Sequence, residues 1–304
     1  MTPAASESRH PFSALDLLLI LMVVIWGANF SVVKYALREF PTLVFNALRL
    51  LVVTAIFLGA LAVERRRSGG GAAFTREEWG RVAMLGVLGH TVYQLCFVGG
   101  LARTSVANSS LIFGCSPIAV ALIAAAAGHE RVGRAQWGGA ALSLVGLYFV
   151  VGRGARLEVN SLTGDGLMFV AMLCWALYSV GSQPLLRRHS PLTLTGWSTA
   201  IGTTVFCALA LPSFLTTDWG RISVTSWALM FFSSVLALGV AYLIWYTAVQ
   251  RIGSSRTAIY SNLTPVVAML VGWLWLAEPV ASTQMMGAAA ILSGIFITRM
   301  ARGA

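Results

Sequence analysis

The side chains of this chain that could hold a small molecule are aromatic rings, amides and hydroxyls, set at helical spacing inside long apolar stretches. His90, Tyr93, Gln94 and Phe97 follow one helical face, and Tyr242, Trp245, Tyr246 and Val249 follow another. Trp175, Tyr178, Ser179 and Ser182 make a third set, and Trp26 with Asn29 a fourth. Asn108, Ser109, Ile112 and Ser116 make a fifth, and Tyr260, Ser261 and Thr264 a sixth, with Asn262 on the next face. Aromatic walls suit flat or large apolar groups through stacking and area burial. Amides and hydroxyls can hold an amino group and a carboxylate without a fixed charge that would trap them. The bland alternative is that these rings fill helix contacts or form an interfacial belt. Trp79 and Trp219, near the ends of apolar runs, are assigned to that belt, whereas Trp26 and Trp175 sit mid-run.

Two titratable groups stand apart. Arg49 lies well inside an apolar run, where a cation costs about 2.5–3.5 kcal/mol on insertion scales. It is either the partner of a substrate carboxylate or is held by a helix-end carbonyl near Pro41 through snorkelling. His90 is either a proton site or a hydrogen-bonded packing residue. No carboxylate is expected deep in an apolar run: Asp16 and Asp165 begin runs, as suits a helix N-terminus, and Glu130 and Glu278 fall in turns. No ion-coupling site is therefore visible. Cys96, Cys115, Cys174 and Cys207 all lie in apolar stretches without metal-ligand spacing and read as packing residues. His10, His90, His129 and His189 are scattered, so neither a nucleophilic triad nor a metal set is seen, and no cofactor or metal is expected.

Only a membrane accommodates the elements that carry these residues. Hydrophobic residues make up 57% of the 304, charged ones 11%, and mean hydropathy is +0.78. A soluble chain of this length needs far more polar surface. Ten segments are long and apolar enough to span, at 15–33, 43–63, 79–101, 106–126, 135–151, 166–186, 192–215, 225–249, 257–276 and 283–299. The net charge of +10 comes almost wholly from arginine in short loops, which reads as a topology signal and not as nucleic-acid binding. With the N-terminus in the cytoplasm, fourteen basic residues fall inside and six outside: Lys34, Arg38, Arg103, Arg153, Arg156 and Arg221. Both termini are thus expected in the cytoplasm. The first apolar run is too long for a cleavable signal, and Met1 to Pro11 is polar.

The chain also repeats itself. Residues 103–150 lie over 251–298 without a gap at an offset of 148. Arg103, Pro117, Glu130, Gln136 and Gly146 meet Arg251, Pro265, Glu278, Gln284 and Gly294. Trp26 and Trp175 match at an offset of 149. Five spans per half is an odd number, so the second copy should enter the membrane in the opposite sense. Pro117 and Pro265, each after a hydroxyl residue, are hinge candidates or static kinks, with Ser116 and Thr264 placed to satisfy the freed backbone.

Taken in order, Trp26-Gly27-Ala28-Asn29-Phe30, Arg49, Ala107 to Leu111 with Ser116-Pro117, and Arg256 to Pro265 resemble the drug/metabolite transporter superfamily, in particular its EamA-type exporters. The resemblance covers nearly the whole chain and is nearest to the bacterial exporters of aromatic and other amino acids. It implies an all-α polytopic membrane protein of ten transmembrane helices, two inverted five-helix repeats around a central cavity. The expected division is a tail at 1–14, repeats at 15–151 and 165–300, and a connector at 152–164. The resemblance further implies export of a small-molecule substrate across the bacterial inner membrane by alternating access, as a monomer or weak homodimer in the lipid bilayer. The candidate lining is Trp26, Asn29, His90, Tyr93, Gln94, Asn108, Ser109, Trp175, Tyr178, Tyr242, Tyr246 and Tyr260. Relatives of this kind also move drugs, purines and sugars. A membrane-embedded lipid enzyme lacks a visible catalytic set, and a channel would need a charged ring or pore loop.

Overall fold

The computed structural model is all-helical among the described residues, which are 14–68, 73–128, 138, 141, 142, 145, 146 and 159–300. Nine helical stretches are described: α1 (Ala14–Ala36), α2 (Thr42–Ser68), α3 (Arg76–Arg103), α4 (Val106–Ala126), α5 (Val159–Leu186), α6 (Pro191–Leu215), α7 (Val224–Ile252), α8 (254–276) and α9 (Ser282–Met300). The first seven are each long and apolar enough to cross a membrane. Most of the span expected at 135–151, with Glu130 and Gln136 beside it, lies outside the described residues.

Local sequence sets the helix starts. Thr75 caps α3 in a full capping box, accepting from the Glu78 N–H while Glu78 Oε2 accepts from the Thr75 N–H at 2.9 Å. Ser105, Ser190 and Ser223 cap α4, α6 and α7 in the same way from side chain to backbone. Gly253, at φ 85°, ends α7 in a conformation that side chains resist. Ala277 ends α8 at φ 54°, and the turn carries Glu278 to the start of α4, where its Oε2 accepts from the Val106 N–H at 2.9 Å. An acid at a helix N-terminus satisfies an open donor and complements the dipole. The link between α1 and α2 reaches the start of α7, where the Ser223 N–H donates to Glu39 at 2.7 Å and holds that carboxyl below the usual carboxylate range.

Two helices are widened and two are broken, at related positions. In α3 the segment Val87–Val92 is π-helical and closes with the Tyr93 N–H on the Leu88 carbonyl. In α7 Ser233–Val240 is π-helical and closes with the Ala241 N–H on the Leu236 carbonyl, each atom 148 residues further on. α4 breaks at Cys115, between Val106–Gly114 and Ser116–Ala126. α8 breaks into Ser254–Tyr260, a 3-10 turn at Ser261–Leu263, and Thr264–Leu276. Proline opens the second piece of each.

The halves interlock. α1 packs along α7 and α8, and α5 along α3 and α4. At one end of the bundle Lys34, in the last turn of α1, donates to the Leu101 and Thr104 carbonyls, and Thr104 Oγ1 donates to Asp165 near the start of α5. α1 therefore ends where α5 begins. Small residues permit close approach: a Cβ on Gly202 would lie 2.3 Å from the Gly86 carbonyl, so α3 and α6 touch backbone to backbone.

Candidate functional site

The middle of the bundle is filled with rings around a small cavity. Trp26 of α1 meets Trp175 of α5 edge-on at 5.4 Å, and Trp175 lies 5.4 Å from Tyr242 and 5.3 Å from Trp245, both of α7. Tyr93 of α3 lies 5.6 Å from Trp175. The cavity is lined by Trp26, Asn29, Phe30, Arg49, Tyr93, Gln94, Phe97, Phe113, Ser116, Trp175, Ala237, Leu238, Tyr242, Ser261 and Thr264. Both matched halves of the sequence contribute. Its free space is ≈ 50 Å³, room for a few waters and too small for a tryptophan side chain.

Each wall group is placed by a nameable contact. The wide turn in α7 moves the hydrogen-bond ladder on by one residue and leaves a carbonyl over at its end. The carbonyl after Leu236, that of Ala237, accepts from Trp26 Nε1 at 3.0 Å. Ser233, in the same turn, donates to Asn29 Oδ1. Arg49 is 1% exposed, donates through one terminal nitrogen to Asn46 Oδ1 at 3.1 Å and lies 5.4 Å from the Phe45 ring centre. The proposed anchor near Pro41 is not used: the Pro41 carbonyl accepts from the Phe45 N–H inside α2. Asn46 Nδ2 in turn donates to the Gln94 carbonyl at 3.3 Å, and Gln94 Nε2 to the Tyr242 hydroxyl at 3.4 Å.

Of the residues singled out from sequence, Trp26, Asn29, Arg49, Tyr93, Gln94, Trp175 and Tyr242 reach this wall. His90, Tyr178, Tyr246, Asn108, Ser109 and Tyr260 are not part of it. His90 shares a face with Gln94 only in a regular helix. The wide turn adds a residue, about 100° of rotation, and aims His90 at α5 and α6. There its Nε2 lies 3.0 Å from Tyr178 Oη and 3.2 Å from Thr199 Oγ1, and Tyr178 Oη is 2.8 Å from Ser198 Oγ. Tyr246 packs behind, 5.4 Å from the Tyr178 ring. Tyr260 donates to Asp16 at the start of α1. Ser109 is fully buried in α4 with no partner for its hydroxyl among the described residues.

Asn108 belongs to a second polar cluster near one end of the bundle. Helix α5 starts at Val159, earlier than sequence suggests, so Asp165 lies inside it and is 4% exposed. Asp165 therefore does not sit at the helix N-terminus as expected, and although buried it lies near the start of α5, not deep in the span. Asp165 accepts from Thr104 Oγ1 at 2.6 Å and from Asn108 Nδ2 at 3.2 Å, and Asn108 Oδ1 accepts from Gln284 Nε2 at 2.7 Å. Thr264 does not back-bond its own helix as expected; among the described residues its hydroxyl has no partner, and the residue lines the cavity. Ala237 and Leu238 sit in a run without polar residues and escape sequence reasoning. The one available signal is the repeat, since Leu238 lies 148 residues after His90. Among the described residues no group of three His, Cys, Asp or Glu side chains could hold a metal. The exposed Trp79 and Trp219 sit at helix ends.

Comparison with known proteins places this geometry. The EamA-like transporter family matches twice, at 14–152 and 162–300. An uncharacterized transporter, YyaM, of Bacillus subtilis (strain 168) is 25% identical over 92% of this chain and 91% of its own. A probable terminal-alkyne amino-acid exporter of Streptantibioticus cattleyicolor is also 25% identical, over 92% of this chain and 91% of its own. A protein of known crystal structure, 18% identical, shares the fold with a TM-score of 0.71 over 95% of this chain and 99% of that one.

Proposed function

This chain belongs to the EamA-like transporter family, a membrane transporter and not an enzyme, and from that premise we propose that it is a secondary exporter of amino acids, aromatic and other neutral ones such as Trp, Phe, Met and Thr. The single observation that carries the substrate class is the cavity: aromatic walls from both halves, neutral amides and hydroxyls, and one cation, Arg49. The printed name of the Streptantibioticus relative agrees with it.

In this reading ten helices form two inverted repeats, 15–151 and 165–300, joined by 152–164 and preceded by a tail at 1–14. The family's two matches, the widened and broken helices at an offset of 148, and the end of α1 lying where α5 begins all support it. The protein sits in the bacterial inner membrane with both termini cytoplasmic, as the arginine distribution favours, and works as a monomer or weak homodimer. Alternating access is the mechanism: the rings part to admit a substrate larger than the free space between them, and α4 and α8 bend at Pro117 and Pro265. Trp26, Asn29, Tyr93, Gln94, Trp175 and Tyr242 hold the substrate, with Arg49 facing its carboxylate. His90, Tyr178 and Tyr246 brace that wall from behind, and Asn108, Ser109 and Tyr260 act at the helix ends, not on the substrate.

Uptake into liposomes, with and without a pH gradient, tests this. Trp, Phe, Met and Thr should compete with one another. Competition by a nucleotide sugar and by none of the four would replace the substrate class. Trp175→Ala and Tyr242→Ala should weaken aromatic substrates about tenfold and Thr little, because only aromatic substrates lose ring contacts; equal losses would mark both residues as packing.

A further inference from the structure

Every buried hydrogen-bonding atom in a folded protein normally has a partner, and those without one need a reason. Among the described residues three such atoms belong to the cavity wall: Arg49 Nε, Gln94 Oε1 and Thr264 Oγ1. Arg49 and Gln94 are each 1% exposed. The Thr264 hydroxyl both donates and accepts and so selects nothing. The other two are opposite in kind. Arg49 is a donor with a permanent positive charge, and among the described residues it has no ion-pair partner. A buried charge left uncompensated is strongly destabilising. Gln94 Oε1 is a neutral acceptor.

Asn46 fixes the two relative to each other. Its Oδ1 accepts from Arg49 and its Nδ2 donates to the Gln94 backbone. The Gln94 amide is oriented as well, because its Nε2 points to Tyr242 Oη. The open donor and the open acceptor are thus held on adjoining helices, α2 and α3, by one chain of hydrogen bonds. No Asp or Glu lines the cavity, so the groups there that attract an ammonium are neutral acceptors and ring faces.

We propose that this pair reads the head of an α-amino acid: Arg49 takes the carboxylate and Gln94 Oε1 takes the ammonium, leaving the side chain to the rings. The inference rests on the amino-acid reading above and adds that both charges of the zwitterion are required. A site built around a polar group discriminates strongly against ligands that lack it, because its own buried atoms then stay unpaired.

The test is competition against labelled tryptophan uptake in liposomes, using tryptophan, tryptamine and indole-3-propionate. Tryptamine lacks the carboxylate and indole-3-propionate lacks the amine, while all three share the ring. Each analogue should compete at least about tenfold more weakly than tryptophan. Arg49→Gln should remove the discrimination against tryptamine and keep that against indole-3-propionate. Gln94→Leu should do the reverse. The wild-type series alone decides the matter if either variant fails to fold. If the three compete equally, the head-group assignment is overturned while an aromatic cavity stands. If tryptophan is neither transported nor bound, both readings fall. If each variant weakens all three compounds by the same factor, Arg49 and Gln94 support the wall and do not sort ligands.

Discussion

Arg49 and Ser198 occupy matching places in the two halves, seven residues after Thr42 at the start of α2 and seven after Pro191 at the start of α6. Their surroundings have diverged. Ser198 sits in a closed network: its hydroxyl is 2.8 Å from Tyr178 Oη, which reaches His90, and His90 also meets Thr199. Among the described residues Arg49 has one hydrogen-bond partner, Asn46, and it lines the cavity. At this one position the second half pairs its polar group, through His90 of the first half, and the first half keeps an open valence on Arg49. Satisfaction, more than polarity, separates a wall that can bind from a wall that holds shape.

The largest effect is expected at Arg49. Arg49→Met should lower amino-acid transport about 100-fold in kcat/KM, about 2.7 kcal/mol, while the thermal midpoint in detergent holds or rises, because an unpaired buried cation is gone. A collapse of the midpoint would make Arg49 scaffold and erase the contrast. His90→Leu gives the first half the residue that the second half carries at Leu238. It strands the Thr199 hydroxyl and leaves the Tyr178 hydroxyl with Ser198 alone, so stability should drop by about 1–3 kcal/mol in a thermal-melt series, with substrate affinity moved less than about threefold. An affinity loss as large as that of Arg49 would put His90 on the substrate after all. The smallest effect concerns the helix breaks. Alanine restores the N–H that proline lacks. Because α8 breaks over a three-residue 3-10 turn and α4 at Cys115 alone, Pro265→Ala should slow turnover a few-fold and Pro117→Ala less. Unchanged turnover in both would end the hinge proposal.

Much of this was legible in the residues. Long apolar runs specify spanning helices because unsatisfied backbone is intolerable in lipid, and the described helices α1 to α7 each contain an expected span. Trp26 and Trp175, matched by position in the repeat, meet edge-on at 5.4 Å. What escaped were shifts of phase. A periodicity argument assumes an unbroken 3.6-residue repeat, and the widened turn at Val87–Val92 breaks it between His90 and Gln94. Nothing in Val-Leu-Gly-His-Thr-Val announces such a turn, which coincides with the tight approach of Gly86 to α6 and of Gly89 to the Tyr178 ring. Asp165 escaped for a related reason: polar Asn160, Ser161 and Thr163 read as loop, yet they extend α5 and draw the acid into the bundle.

The bond from Trp26 to the Ala237 carbonyl has a further consequence. It ties a ring of the chamber to an oxygen that exists as a free acceptor only while α7 stays widened at that point. Swinging the indole aside strands the oxygen in an apolar interior, a penalty of about 1–3 kcal/mol, unless the bulge migrates along the helix and re-pairs it. Under the proposed transport cycle, room for cargo and the pitch of α7 then become a single coordinate, so that loading the chamber pulls on that helix.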